Sequence, residues 1–182
     1  MQQHFAEDPI AYTGRELRSH WIFETFGLQG DAIVAFTGPC DVALESMVDL
    51  ADVAAGESIR ARLMVHFIAE CFDRDLEKAV LRQRLLVALA AEKLGVSAQV
   101  RREGDDLYVG DRKLSVSIAT ASPVSTLIHF AINIDPEGAP VAAIGLDELG
   151  VDAPDLAGTL MAAFADELTG VAHARCKVRS VP

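Results

Sequence analysis

Cysteine, basic residues and long apolar runs are all scarce in this sequence. Three cysteines among 182 residues, with no CxxC spacing, exclude a disulfide framework and a structural zinc site. Lysine and arginine number 16 against 27 acidic residues, and the net charge of −11 argues against a nucleic-acid partner, which needs a basic footprint. No apolar run reaches the roughly 20 residues that cross a bilayer, so we expect no membrane partner.

Targeting and nucleotide motifs are missing as well. The first residues lack the basic segment and apolar run of a secretory signal peptide. With an odd number of scattered cysteines, this predicts a reducing, cytoplasmic location. Residues 1–13 are polar and are expected to be loosely held. Neither a Walker A pattern nor GxGxxG occurs, so no phosphate-binding loop can be argued from a motif.

The composition that is present is that of a globular protein, with 51% hydrophobic and 24% charged residues. A chain of this length predicts a single domain over residues 1–182 with a sizeable core. Strands are interrupted by long helical patterns at 73–94 and 153–168, and 172–181 reads as a closing strand. We therefore predict an α+β fold, a mixed and mainly antiparallel sheet packed on helices.

The clearest pattern lies in residues 100–134, which predict three consecutive antiparallel strands. Gly110-Asp111 is a two-residue hairpin turn that pairs Tyr108 with Lys113. Continued alternation along these strands gives one apolar face, which we expect to pack on the helices. Its members are Leu107, Val109, Leu114, Val116, Ile118, Ile128, Phe130, Ile132 and Ile134.

The opposite face of these strands is polar, with small side chains near its centre. Its members are Asp106, Tyr108, Lys113, Ser115, Ser117, His129, Ala131 and Asn133. A lysine followed by small residues leaves room for a ligand to lie on the sheet. The alternative is a face that is merely wet, as one face of an antiparallel sheet often is.

This stretch resembles the central segment of biotin protein ligases and lipoate protein ligases. Those families have an Asn-Asp pair, a short strand, a turn, a lysine strand with small residues, and a strand ending in Asn. The matching residues here are Asp105-Asp106, Gly110-Asp111, Lys113, Ser115, Ser117 and Asn133. Phrases such as FTGPCDV, MVHFIAE and KLSVSIAT extend a second resemblance over nearly the full length. It is to the prokaryotic family called domain of unknown function 366, which has a biotin/lipoate-ligase-like fold.

The resemblance implies a chemistry and a site. Such ligases use ATP and Mg²⁺ to activate a carboxylic acid as an acyl-adenylate, then pass the acyl group to a lysine of a carrier protein. By resemblance, Lys113 contacts the acyl carbonyl and phosphate, and Asp106 with Asp105 positions Mg²⁺ or the nucleotide. Lys113 and Asp106 are thus the catalytic candidates. We predict ligand contacts from Ser115, Ser117, His129, Asn133, Asp105 and His66.

The glycine- and arginine-rich adenylate loops of these ligases have no counterpart in the sequence. Two functions therefore stay open. One is an acyl or adenylyl transferase acting on a small carboxylate or nucleotide. The other is a non-catalytic ligand-binding or protein-interaction module that has lost the loop. A class II tRNA-synthetase-like paralogue is a third option, against which the acidic charge argues.

Two further groups admit more than one interpretation. Cys40 and Cys71 are conceivable nucleophiles for a thioester, although a buried structural thiol is the more common role for a free cysteine. Residues 41–53 are rich in aspartate and glutamate. They predict either an oxygen-lined site for a divalent cation or a solvated face.

Overall fold

Two β-sheets and two long helices dominate the structure, a computed structural model that describes residues 1–56, 58–95 and 99–181. The strands are β1 (Gln2–Phe5), β2 (Ala32–Val42), β3 (Ile59–Cys71), β4 (Val100–Glu103), β5 (Asp106–Val109), β6 (Arg112–Lys113), β7 (Ser115–Ala121) and β8 (Thr126–Asp135). The helices are α1 (Trp21–Phe26), α2 (Leu50–Ala55), α3 (Leu76–Leu94), α4 (Leu146–Leu149) and α5 (Ala153–Ala174), with a 3₁₀ turn at Leu44–Ser46.

The larger sheet has the strand order β1-β2-β3-β8-β7, and the smaller has the order β4-β5-β6. Among the strands named above, β1 and β2 pair in parallel and the other pairs run antiparallel. The predicted α+β class, with a mainly antiparallel sheet packed on helices, is confirmed. None of the described helices is long and apolar enough to span a bilayer.

The two long helices begin at aspartate caps and cover one face of the large sheet. The Asp75 carboxylate accepts a hydrogen bond from the first turn of α3, and Asp152 does the same for α5. Each cap satisfies a backbone donor that would otherwise have no partner at the helix start. The side chains that α3 and α5 bury define what we call the helix face of the sheet. They include Val65, Phe67, Ile128, Phe130 and Ile132.

The opposite side of the sheet, which we call the cleft face, carries Met64, His66, Ile68, His129, Ala131 and Asn133. Residues 6–30 cross much of it and bury Trp21 and Ile22 against it. This crossing passes so close to β2 that a Cβ at Gly38 would collide with the carbonyl oxygen of Ile10. Glycine is therefore required at that point of the FTGPC segment.

The chain near the amino terminus is more ordered than the sequence predicts. Residues 2–5 form the edge strand β1, and the amide of Ala6 donates to the carbonyl of Ala35 at 2.8 Å. Tyr12 is only 4% exposed. The expectation of a loosely held segment at 1–13 is wrong, because backbone pairing with β2 and burial of Tyr12 hold it in place.

The predicted strand from Arg112 to Thr120 is divided between the two sheets at Leu114. Before that residue, β6 pairs with β5; after it, β7 pairs with β8. Ser115 lies opposite Ile132 and Ser117 lies opposite Phe130, so both serines belong to the helix face. The prediction that the two serines share a face of the sheet with His129 is therefore wrong. A shift of one residue in the register of a strand moves every side chain to the opposite face. Such a shift occurs at Leu114, where the chain leaves the small sheet and enters the large one.

The same shift moves Val116 and Ile118 onto the cleft face, opposite Ala131 and His129. The predicted strand over 172–181 is also wrong, because α5 continues to Ala174. Once a helix has formed, each added residue gains a backbone hydrogen bond, and this outweighs a weak alternation.

Candidate functional site

A cleft of about 220 Å³ lies where β6 and β7 meet α2 and the 139–143 segment. We call it the Lys113 cleft. Its charged lining consists of Asp49, Asp52, Arg60, Asp105, Asp106 and Lys113. Met64, Val116 and Asn133 line it from the large sheet. Both predicted catalytic residues therefore lie in one cleft with Asp105, Ser115, Ser117 and Asn133 of the predicted ligand-binding set.

The central feature of the cleft is an ion pair. The Lys113 Nζ lies 2.9 Å from Oδ2 of Asp106, and the two side chains are 29% and 26% exposed. The Tyr108 hydroxyl donates to the same carboxylate oxygen at 3.4 Å. Burial lowers the pKa of the Lys113 ammonium, but the hydrogen bond and charge of Asp106, together with Tyr108 and Asp52, raise it by more, so the pKa lies above its ordinary value. Lys113 is thus a permanent cation that points into a partly desolvated space.

Two segments hold the backbone of Lys113. Its amide donates to the carbonyl of Ala142 at 2.9 Å, and its carbonyl accepts from the amide of Ile144 at 3.0 Å. The Asn133 side-chain amide donates to the carbonyls of Lys113 and Ile144 at 3.3 and 3.2 Å. These contacts explain how a two-residue strand can orient a catalytic candidate. They also give Asn133 a positioning role in addition to the predicted ligand contact.

Asp105 anchors the β4–β5 turn to α3. The Gln83 amide donates to Oδ2 of Asp105 at 2.8 Å and to the Ser117 hydroxyl at 2.6 Å. Arg84 lies 3.2 Å from the other oxygen of the same carboxylate. Ser115, fully buried, accepts from the amide of Leu107 at 2.9 Å. These polar groups at the cleft wall thus have partners within the protein.

Asp105 and Asp106 point to different partners, the first toward α3 and the second toward Lys113. Within residues 1–56, 58–95 and 99–181, no three or more His, Cys, Asp or Glu side chains are grouped to hold a metal ion. Magnesium in nucleotide sites often takes only one or two protein carboxylates and completes its shell with phosphates and water. A magnesium site at Asp105 and Asp106 stays a prediction that depends on such a nucleotide.

The two predicted histidines lie next to the Lys113 cleft, and neither lines it. His66 is fully buried, and His129 borders a smaller cavity of about 50 Å³. The His66 Nδ1 lies 3.1 Å from the His129 Nε2, and the His66 Nε2 lies 3.2 Å from the Gly38 carbonyl oxygen. Burial lowers the pKa of His66 to about 4 and holds that of His129 well below its usual value. Both imidazoles are therefore neutral at physiological pH.

The two cysteines considered as nucleophiles have the properties of structural residues. Cys40 and Cys71 are 1% and 2% exposed. Burial is the main cause that raises the pKa of the Cys40 thiol to about 12 and that of Cys71 to about 11. Since the thiolate is the nucleophile, neither residue suits a thioester mechanism.

Parts of the cleft wall lie outside the predicted catalytic and ligand-binding residues, although the alternative of a divalent-cation site at 41–53 points to one of them. Asp49 and Asp52, from the acidic 41–53 segment, line the cleft on and beside α2, where Asp49 also caps the helix. The 139–143 segment lines it as well. For Asp49 and Asp52, the acidic composition of their segment was the only signal in the sequence. Their proximity to Lys113 depends on contacts between residues that are distant in sequence. The 139–143 segment contains no charged or nucleophilic side chain that would have marked it as part of a site.

Comparison with known proteins identifies close relatives. A family model described as Domain of unknown function (DUF366) matches residues 1–179. An uncharacterized protein of Methanocaldococcus jannaschii is 42% identical over 154 residues, which are 81% of this chain and 70% of that protein. A solved structure described as a protein of unknown function from Pyrococcus horikoshi is 41% identical. It superposes with a TM-score of 0.95 over 100% of this chain and 99% of the other.

More distant structures connect the fold to two kinds of ligase. A biotin protein ligase mutant from Aquifex aeolicus in complex with biotin has a TM-score of 0.59 at 11% identity, over 93% of this chain and 70% of the other. A lipoate-protein ligase A bound with ATP has a TM-score of 0.54 at 14% identity, over 93% and 86% of the two chains. The predicted biotin/lipoate-ligase-like fold is confirmed, and at these identities the likeness concerns the fold alone.

Proposed function

This chain belongs to the DUF366 family, and from that premise we propose that it is a single domain that binds a small carboxylic acid in the Lys113 cleft. The observation that carries the proposal is the Lys113 ammonium, which faces a cavity and has one carboxylate, Asp106, 2.9 Å away. Of the two ligases with a similar fold, the biotin protein ligase structure contains biotin and the lipoate-protein ligase structure contains ATP. These ligands make an acid, with or without a nucleotide, the first candidate.

The chemistry of acid binding follows from the ion pair. A ligand carboxylate can share or replace Asp106 as the partner of the Lys113 ammonium. Hydrogen bonds between ionised partners are about twice as strong as those between neutral groups, and partial burial reduces competition from water. The raised pKa keeps the lysine protonated, so it acts as a fixed cation and never as a base.

We further propose that a reaction in this cleft would be acyl or adenylyl transfer with Mg²⁺ and ATP. One carboxylate oxygen of the acid would bond to the α-phosphorus as pyrophosphate leaves, and Lys113 would stabilise the negative charge that develops there. Aspartates outnumber cations in the cleft lining, where Arg60 already pairs with Asp41 at 3.1 Å. A triphosphate therefore needs a divalent cation to enter. The amine of a carrier-protein lysine would then attack the acyl carbon of the adenylate, forming an amide as AMP leaves.

One observation favours the second candidate, a binding module without catalysis. Asp105 is bound by Arg84 and Gln83, and the Ser115 and Ser117 hydroxyls already have partners within the protein. A nucleotide would have to compete for these groups, whereas a small acid at Lys113 would not.

Thermal-shift measurements on the full chain test the proposal with octanoate, lipoate and biotin, each with and without ATP and Mg²⁺. We expect an acid to raise the melting temperature of the wild type, since a ligand of the folded state stabilises it by mass action. Lys113→Ala should abolish the shift, and Lys93→Ala, an exposed lysine on α3, should keep it. A further shift with ATP and Mg²⁺ supports the enzyme, and a shift with acid alone supports the binding module. If no ligand produces a shift that Lys113→Ala abolishes, the enzyme proposal and the binding-module proposal are both contradicted.

A further inference from the structure

A second, smaller cavity adjoins the Lys113 cleft and shares part of its wall. We call this cavity of about 50 Å³ the inner chamber. The residues common to the two cavities, which mark their boundary, are Asp49, Asp52, Ile59, Val116 and Ser117. Beyond that boundary the walls are mostly apolar and aromatic: Tyr12, Leu17, Val42, Met47, Ile118 and His129. The two cavities together provide a charged outer end and an apolar inner end.

His129 is the buried polar residue of the inner chamber, at 3% exposure. Its protonation pattern follows from its neighbours. The Gly38 carbonyl can only accept, so the His66 Nε2 must carry a proton. Burial keeps His66 neutral, hence its Nδ1 is an acceptor and the His129 Nε2 must be the donor at 3.1 Å. A neutral His129 then has a bare Nδ1.

The bare nitrogen of His129 has no hydrogen-bond partner among the described residues, and its ring borders the chamber. Tyr12 fixes the plane of this ring by stacking on it, with a centroid distance of 3.7 Å and an angle of 8°. A ligand that supplies a donor to this nitrogen forms a hydrogen bond that no described residue provides. The chamber is therefore prepared for one donor inside an apolar wall.

The dimensions limit the shape of such a ligand. Asn133 contacts the backbone of Lys113 and lies four residues from His129 on β8. Four residues of strand extend about 13 Å, so a ligand that reaches from the neighbourhood of Asn133 to His129 needs a chain of about that length. A volume of 50 Å³ holds about four water-sized groups, enough for the end of a chain.

We propose that His129 determines specificity for an acid whose unbranched apolar chain ends in a hydrogen-bond donor, such as a hydroxyl or an N–H. Lys113 holds the carboxylate at the outer end, and the Nδ1 of His129 accepts from the donor at the inner end. This inference rests on the proposed function, because it names the class of acid for the same cleft.

Isothermal titration calorimetry of the full chain with decanoate and 10-hydroxydecanoate tests it. The two probes differ only in the terminal hydroxyl, so the wild type needs no mutation for the comparison. We expect the hydroxy acid to bind roughly tenfold more tightly, the effect of one buried hydrogen bond. Equal affinities, or tighter binding of decanoate, would overturn the inference and leave acid binding at Lys113 intact.

Two variants identify the acceptor. His129→Phe keeps an aromatic ring against Tyr12 and should remove the preference for the hydroxy acid. Ser46→Ala, which deletes another polar group of the chamber wall, should keep it. The inference is contradicted if His129→Phe still prefers the hydroxy acid, or if Ser46→Ala loses that preference. Either result would mean that the ligand hydroxyl donates to an acceptor other than His129. If His129→Phe does not fold, the wild-type comparison still decides. If neither acid binds, the inference and the proposed function fail together.

Discussion

The two ends of the combined cavity use opposite means to place polar groups in a protein interior. At the outer end, Lys113 and Asp106 keep their charges, paired at 2.9 Å and each more than a quarter exposed. At the inner end, His66 and His129 are almost completely buried and neutral, and they bond to each other and to the Gly38 carbonyl. The ionised groups lie at partly exposed positions, and the neutral ones at almost completely buried positions.

This difference follows from the cost of burial. A charge removed from water is tolerated only with a partner and some remaining solvation, whereas a neutral imidazole needs only hydrogen bonds. The two ends are therefore suited to different roles. The outer end can bind a charged group of a ligand, and the inner end can select among ligands by their shape and by one hydrogen bond. Mutations and acid should therefore affect the two ends differently.

The largest effect on stability should come from Gly38→Ala, because Gly38 contacts His66 at the inner end of the cavity. The new Cβ would collide with the carbonyl of Ile10, and the carbonyl of Gly38 holds His66. We expect a loss of about 3 kcal/mol in the free energy of unfolding, measured by urea denaturation. Gly158→Ala inside α5 meets no atoms and should gain up to about 1 kcal/mol. Equal effects of the two changes would contradict the close crossing at Gly38.

Acid should unfold the protein through its inner end. The folded pKa of His66, about 4, lies below its ordinary value of 6.5, so the folded state binds fewer protons than the unfolded one. Stability is then complete above pH 6.5 and falls as the pH drops toward 4, by on the order of 3 kcal/mol for this residue. Urea midpoints across that range measure it.

A matched pair of histidine variants sharpens the acid prediction. His66→Gln should weaken the dependence on pH, whereas His173→Gln, an exposed residue in the last turn of α5, should leave it unchanged. An unchanged slope in His66→Gln would show that acid acts elsewhere in the molecule.

A smaller effect should separate buried from exposed support at the outer end. Gln83 and Arg84 bind the same carboxylate of Asp105, but Gln83 is 3% exposed and the Arg84 side chain is 41% exposed. We expect Gln83→Ala to cost about 2 kcal/mol, because it removes two hydrogen bonds made by a buried side chain. Arg84→Ala should cost at most about 1 kcal/mol, as for most exposed ion pairs. Thermal denaturation compares the two, and the reverse order would contradict this description of the anchor.

Local sequence predicted the outer end well. The turn at Gly110-Asp111 sets the pairing of Tyr108 with Lys113, which the structure contains. That register brings Lys113 and Asp106 to the same side. The two long helices were also predictable, since their hydrophobic period lies within the helices themselves, but the aspartates that cap them were not. Each of these features depends on residues close together in the chain.

Features that depend on distant residues were not predictable. The break at Leu114 is fixed by backbone bonds from Asn133 and from residues 142–144, and no local pattern marks it. It placed Ser115 and Ser117 on the helix face, contrary to the simple alternation. Likewise, each histidine could be placed on a strand face. Their contact, however, required knowing that β3 and β8 are neighbours.

The central claim is that Lys113 binds the carboxylate of a small acid, and calorimetry with 10-hydroxydecanoate tests it most directly. We predict that Lys113→Ala weakens binding by about ten- to a hundredfold, the value of a hydrogen bond to a charged group, while Lys93→Ala binds as the wild type does. Equal affinity in wild type and Lys113→Ala would contradict the account, because the acid would then bind without the cation on which the cleft is built.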